Sequence, residues 1–190
     1  MSDVLRLFIA VELPNEALEL LAAVQKDLTA ARGEVKWSRP QQIHLTLKFV
    51  GDLPPSEVPA LSAALDKAAS LSPACASRLA AVGAFPTAKR PRVIWAGLEE
   101  PSGRLLELQR RVDEATKYLT PVDPRGFAPH LTLGRVNGPK NLPKLAAAIE
   151  AYRLAATPEI PISEIVLVQS VLGRSGPTYT TLHRSALAKG

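Results

Sequence analysis

The apolar positions of the chain follow two periods, one of helices and one of strands. Val4 to Val11 is a β-rich run and predicts a first strand. Pro14 and Asn15 open a helix from about Glu16 to Ala31. Leu18, Leu21, Val24, Gln25 and Leu28 recur there at helical spacing, and Gly33 stops it. "EVKWS" reads as a short strand and Ile43 to Val50 as a longer one; "GDLPPSE" is a turn and a helix start. Val58, Leu61, Leu65 and Ala68 mark a helix running to about Ser70. A strand at about Ala76 to Val82, the loop "GAFPTAKRPR" and a strand at Val93 to Gly97 follow. Then come a helix at Gly103 to Tyr118, a loop at Pro121 to Gly126, a strand at His130 to Val136 and a helix at Leu142 to Tyr152. Strands at Ile162 to Leu172 and Tyr179 to Ser185, joined by "GRSGPT", complete the pattern.

Helices and strands alternate, but hairpin-like pairs interrupt the alternation, as in "SRLAAVGAFPTAKRPRVIWAGL". That favours an α+β fold with antiparallel sheets over a doubly wound parallel one. Neither G-x-G-x-x-G nor G-x-x-x-x-G-K-[ST] occurs, so no dinucleotide fingerprint or P-loop supports the parallel alternative. No low-complexity linker divides the chain, and one domain over residues 1–190 is expected.

Hydrophobic residues are 46% of the 190, enough for a sizeable core and against disorder. The apolar runs are short and broken by charge, so no membrane span is expected. The run in "MSDVLRLFIAVELP" has the wrong length and flanks for a signal peptide. A single cysteine, Cys75, excludes an intrachain disulfide and a cysteine-based zinc cluster. Its surroundings give no sign of a reactive thiol, and a cytoplasmic protein is expected. The net charge of +5 tilts the choice of partner towards anions, nucleic acid above all.

Two of the three histidines begin the same tetrapeptide: "HLTL" occurs at His44–Leu47 and again at His130–Leu133. Alternate residues of a strand share a face, about 6.5 Å apart. His44 and Thr46 therefore point one way and Leu45 and Leu47 the other; His130 and Thr132 repeat the arrangement. The leucines can anchor each strand in a lobe while imidazole and hydroxyl are presented together. The two copies lie in different halves of the chain, which suggests pseudo-symmetric lobes facing each other across a central groove.

Such a set suits a phosphodiester. One imidazole takes a proton from a nucleophilic oxygen and the other gives one to the leaving oxygen, and histidine reaches both states near neutrality. The threonines are neutral donors for the non-bridging oxygens. A lone strand histidine is usually structural, but two in matched H-x-T settings are not easily so explained. A metal site lacks a third ligand at a recognisable spacing, so no metal or cofactor is expected. His183, in "YTTLHRS", has no counterpart and reads as a strand or surface residue.

"HLTLKFVG" and "PHLTLGR" resemble the paired H-x-T-x motifs of the 2H phosphoesterase superfamily. "RLFIAVELP", "GAFPTAKRPRVIWAGL", "FAPHLTLGRV" and "EIVLVQSVLGRSGPTY" extend the resemblance over nearly the whole chain, to the bacterial and archaeal RNA 2′,3′-cyclic phosphodiesterases, long called 2′-5′ RNA ligases. One departure is Gly134, where many relatives carry Ala. The resemblance implies two α+β lobes with antiparallel sheets flanked by helices around a central cleft. It implies metal-free opening of a 2′,3′-cyclic phosphate on an RNA end to a 2′-phosphate. By position in the motif His44 is the proton donor and His130 the proton acceptor, with Thr46 and Thr132 holding the phosphate. The residues alone leave the two histidine roles exchangeable.

Lys48, four residues after His44, is expected on the His/Thr face as a phosphate contact. Arg135 falls at odd spacing and needs a twist or strand end to turn inward; the resemblance favours it as a substrate contact. Lys89, Arg90 and Arg92 form a basic loop. Phe8, Phe49, Phe85 and Phe127 are core candidates, one of which can stack on a terminal base. Besides a monomeric phosphodiesterase acting on RNA, possible in the ligation direction as well, two readings stay open: a non-catalytic RNA-binding module, and a cyclic phosphodiesterase for a small nucleotide.

Overall fold

The structure, a computed structural model, describes residues 4–120, 126–154, 157–173 and 176–189. The strands are β1 (Leu5–Val11), β2 (Val35–Trp37), β3 (Leu45–Leu53), β4 (Cys75–Thr87), β5 (Arg90–Glu99), β6 (His130–Val136), β7 (Ile160–Ile162), β8 (Glu164–Gly173) and β9 (Gly176–Ala186). The helices are α1 (Asn15–Thr29), α2 (Val58–Ser70), α3 (Arg104–Thr116) and α4 (Leu142–Ala151), with short 3-10 turns at Pro40–Gln42 and Pro55–Glu57. The fold is α+β: one curled antiparallel sheet backed by four helices.

The strand order is β7-β4-β5-β6-β3-β1-β8-β9, with β2 added at β6. Two four-strand halves therefore meet where β3 adjoins β6. The contact joining them is narrow, with Leu45 and Leu131 as its Cα partners. Helices α2 and α3 pack on the β3–β1–β8–β9 half, and α4 packs on β4 and β5 with α1 beside it. Burial follows period: Ala17, Leu21, Val24 and Leu28 of α1, Leu61 and Leu65 of α2, and Leu105, Leu108 and Val112 of α3 join Leu45, Leu131 and Leu133 in one core. The two H-x-T strands are thus neighbours at the junction of the two halves of the curled sheet.

Several boundaries differ from the sequence expectation. "GAFPTAKRPR" is mostly strand, because β4 and β5 form one long hairpin. Pro86 and Pro91 face each other in its register, so two missing N–H donors fall on a single rung. A separate short strand, β7, precedes β8 and pairs with the start of β4. After α1 the left-handed residue is Arg32, φ 55°, rather than Gly33. Gly33 instead gives room to α4: a Cβ there would lie 3.0 Å from Leu145 Cδ2. His183 lies on β9 as expected, with Nε2 2.8 Å from Asp66 Oδ1; Ser185 Oγ donates to the same oxygen at 2.7 Å, and the two tie β9 to α2. The expected loop at Pro121 to Gly126 and part of "GRSGPT" lie outside the described residues.

Candidate active site

Because Leu45 opposes Leu131 in an antiparallel pair, the register extended by one residue sets His44 opposite Thr132 and Thr46 opposite His130. Opposite residues share a face. The two leucines are sealed in the core at 1% and 0% exposure, so all four polar side chains stand on the other face.

A cavity of about 400 Å³ opens on that face, and His44, Thr46, Thr132 and Arg135 line it. His130 is not in its wall. It stands at the first residue of β6, edge-on to Phe85 with ring centroids 5.1 Å apart. His44 is stacked on Phe8 at 4.7 Å, with Tyr179 edge-on at 5.4 Å. Phe8 belongs to a small apolar cluster with Ala10, Val166 and Val168, separate from the main core, which floors this side of the sheet.

The imidazoles are held alike. His44 Nδ1 is 2.8 Å from the Gln42 carbonyl, and His130 Nδ1 is 2.7 Å from the Ala128 carbonyl, each two residues upstream. A carbonyl only accepts, so Nδ1 carries the hydrogen in both rings. Each Nε2 is left as the atom that takes or gives a proton. Burial pushes the His44 pKa below 6.5; the bond to the Gln42 carbonyl and the charge of Glu12 work the other way but do not cancel it.

One residue past each H-x-T the strand bulges. Ile9 pairs with Lys48 and Ala10 with Thr46, so Leu47 has no partner on β1; Ile94 pairs with Gly134 and Trp95 with Thr132, so Leu133 has none on β5. The extra residue inverts the alternation beyond it. Lys48 and Gly134 turn into the core, and the residues five after each histidine, Phe49 and Arg135, line the cavity.

This corrects the expectation for Lys48. It does not share the His/Thr face: it is 5% exposed, its Nζ lies 3.0 Å from Asp113 Oδ1 on α3, and it reaches the Thr120 carbonyl at 3.5 Å. A direct phosphate contact does not fit that position. The same device brings Arg135 inward despite its odd spacing. Each bulge is pinned from the helix layer, the first by Asp113 and the second by Gln25. Gln25 Nε2 donates to the Leu133 carbonyl at 2.7 Å and to the Ser38 carbonyl at 2.8 Å, which accounts for an amide in the apolar stripe of α1. At Gly134 a Cβ would come within 2.8 Å of Val35 and 2.9 Å of Trp37, so the absent side chain lets β2 lie against β6.

Sequence reasoning missed Arg6, Lys36 and Arg39, which also line the cavity. No residue period marks them. Among the described residues no Asp or Glu lines it. Lys89, Arg90 and Arg92 lie exposed at the tip of the β4–β5 hairpin, outside that wall. Of the phenylalanines, Phe8 is buried, Phe127 half-buried against the main core, Phe85 37% exposed and Phe49 68% exposed. Cys75 is half-buried, and burial, with the charge of Glu100 second, pushes its thiol up to about 11. Among the described residues no three His, Cys, Asp or Glu side chains gather as metal ligands, and no helix is long and apolar enough to cross a membrane.

The two H-x-T strands thus lie side by side in an antiparallel α+β fold. The profile of the LigT-like phosphoesterases matches residues 11–95 and 97–179, each span holding one H-x-T. The chain belongs to the LigT-like phosphoesterase family. It is 33% identical to an RNA 2′,3′-cyclic phosphodiesterase of Methanothermobacter thermautotrophicus over 93% of this chain and 96% of that one. It is 34% identical to an RNA 2′,3′-cyclic phosphodiesterase of Thermus thermophilus over 96% and 90%. Among solved structures, TT0787 of Thermus thermophilus matches with a TM-score of 0.80 at 32% identity, over 97% of this chain and 98% of that one. E. coli LigT complexed with phosphate matches with a TM-score of 0.72 at 25% identity, over 99% and 100%.

Proposed function

We propose that the protein is a metal-independent phosphodiesterase that opens a 2′,3′-cyclic phosphate at an RNA end to a 2′-phosphomonoester, and that a 5′-hydroxyl attacking in place of water gives a 2′-5′ linkage, a reversible ligation. The observation that carries this reading is the matched pair of histidines on neighbouring strands, each with Nδ1 tied to the carbonyl two residues upstream. The names of the relatives, RNA 2′,3′-cyclic phosphodiesterases, supply the substrate class.

In this reading His130 Nε2 takes a proton from a water molecule, whose oxygen attacks phosphorus. The bond from phosphorus to the 3′ oxygen breaks, and protonated His44 Nε2 gives its proton to that oxygen. The Thr46 and Thr132 hydroxyls donate to the non-bridging oxygens as negative charge builds. Arg135 adds a substrate-binding cation, and water exchange restores both histidines. The catalytic unit spans both halves of the chain and acts as a cytoplasmic monomer.

The burial of His44 favours a second assignment with the roles exchanged, since a neutral imidazole is already poised as a base. The bound phosphodiester's negative charge acts the other way and favours imidazolium. The test of the function is an assay of the chelator-treated protein on an RNA ending in a 2′,3′-cyclic phosphate, mapping the product's phosphate. A 2′-phosphate formed at full rate is expected. A product with a 3′-phosphate, or loss of activity restored by a divalent ion, overturns the reading; binding without turnover leaves a non-catalytic RNA-binding module.

A further inference from the structure

Lys36 on β2 and Arg135 on β6 are direct partners in an antiparallel register, so their side chains share a face. Both are exposed and both line the cavity that holds His44 and Thr132. Like charges placed directly opposite destabilise a sheet. Here nothing offsets them: neither side chain makes an ion pair or hydrogen bond with the described residues, and among those residues no carboxylate lines the cavity. The strand that carries Lys36 is also held on both sides. Backbone bonds from Ser38 N to the Leu133 carbonyl and from Asn137 N to the Glu34 carbonyl, each 2.8 Å, hold β2 at both ends. Trp37 lies on Gly134, where a side chain would push the strand away. A three-residue strand is thus fixed in the place that sets a second cation beside Arg135.

The pair does not coincide with the His/Thr quadrilateral. Arg135 lies three residues past Thr132, one of them bulged, or roughly 7–10 Å along the strand. One phosphate held by the two threonines leaves Lys36 and Arg135 free for another, a step further along a nucleic-acid strand. We infer that Lys36 and Arg135 form a second phosphate position, which takes the phosphate on the 5′ oxygen of the terminal nucleoside, the one linking it to the rest of the RNA. The inference rests on reading the cleft as an RNA-end phosphodiesterase site, and it makes an RNA end, rather than a cyclic mononucleotide, the substrate the cleft is shaped for.

Calorimetry with unreactive 2′-phosphates tests it: adenosine 2′-phosphate, the same compound with a 5′-phosphate, a diadenosine ending in a 2′-phosphate, and that dinucleotide with a neutral methylphosphonate linkage. The wild type is expected to bind the dinucleotide about 10-fold more tightly than the mononucleotide, the scale of one charged contact, and the gain should shrink with salt. Lys36→Gln, at an exposed position, should bring that ratio close to one, and the methylphosphonate should do the same in the wild type without any substitution. A matching gain from the 5′-phosphorylated mononucleotide also supports the position, and shows that a free 5′-phosphate fills it. Equal wild-type affinities, or a ratio that Lys36→Gln leaves unchanged, would overturn it. Turnover of cyclic ends is measured alongside. Turnover without a Lys36-dependent ratio removes the second position alone, and a Lys36-dependent ratio without turnover removes the phosphodiesterase reading alone.

Discussion

Leu45 and Leu131 are opposite partners across the narrow contact between β3 and β6, and both are sealed in the core. This one relationship places the four polar groups of the site. It separates two jobs within each tetrapeptide: the leucines hold the halves together, and the histidines and threonines stand on the opposite face, where His44, Thr46 and Thr132 line the cavity.

Substitutions on the two faces should therefore fail differently. His44→Ala and His130→Ala are expected to cut turnover by about 100-fold or more, the scale of a positioned acid or base, while remaining folded. Leu45→Ala or Leu131→Ala should cost about 2–5 kcal/mol of stability. Circular dichroism with urea titration, run beside the assay, checks both. A folded histidine variant with near wild-type turnover would rule out the two-histidine mechanism.

The threonines face the same cavity. Thr46→Val and Thr132→Val keep the β-branched shape that suits a strand and delete only the hydroxyl. Each should lower kcat by on the order of 100-fold, as the loss of one oxyanion donor does. Unchanged kcat in both would leave them as strand formers.

Lys48 should behave as a structural residue. Its ion pair with Asp113 is 3.0 Å long, with side-chain exposures of 3% and 16%, and Gln109 donates to the other Asp113 oxygen at 2.5 Å. Removing one partner of a buried pair typically costs about 3–5 kcal/mol, because the other charge stays behind. Partial exposure of Asp113 places Lys48→Met at the low end, about 3 kcal/mol. The KM of the folded variant should stay within about 3-fold of wild type, whereas a phosphate contact of the kind made by a charged donor would shift it by 10-fold or more. Chemical denaturation and steady-state kinetics on the same preparation separate the two.

The element types and the pairing of the H-x-T motifs were legible in the sequence because period and repetition carry them. The sides taken by Lys48 and Arg135 were not, because strict alternation fails at a bulge. Leu47 and Leu133 look like ordinary inward leucines, and nothing local marks them as the extra residue. Lys36 was illegible for a related reason: β2 is only three residues long, and its place depends on register with a strand about 100 residues away. The outer part of the β4–β5 hairpin, "GAFPTAKRPR", was read as a loop because Gly and Pro argue against strand one residue at a time. Only the pairing shows that Pro86 and Pro91 share a rung.

The last prediction concerns the protonation of His44. Burial holds its pKa below 6.5 in the free protein, so the unfolded chain binds this proton more readily than the folded one. Its contribution to stability is therefore full above about pH 6.5 and is lost as the pH falls towards the folded value. An anionic phosphate in the cavity reverses the bias, because negative charge favours imidazolium. A proton-detected titration of the imidazole should show a His44 pKa below 6.5 without ligand and a rise when adenosine 2′-phosphate binds. A rise arms His44 as the proton donor, and the rate should then trace a bell: the acid limb follows loss of the neutral base and the alkaline limb loss of the charged acid. His130→Ala should erase the acid limb of the residual activity. A substrate with a better leaving group should rescue His44→Ala more than His130→Ala, since a good leaving group needs less protonation. If the His44 pKa stays low in the complex and the rescue favours His130→Ala, the two histidines exchange roles while the mechanism stands. A rate flat from about pH 5 to 9 would remove histidine acid–base catalysis altogether.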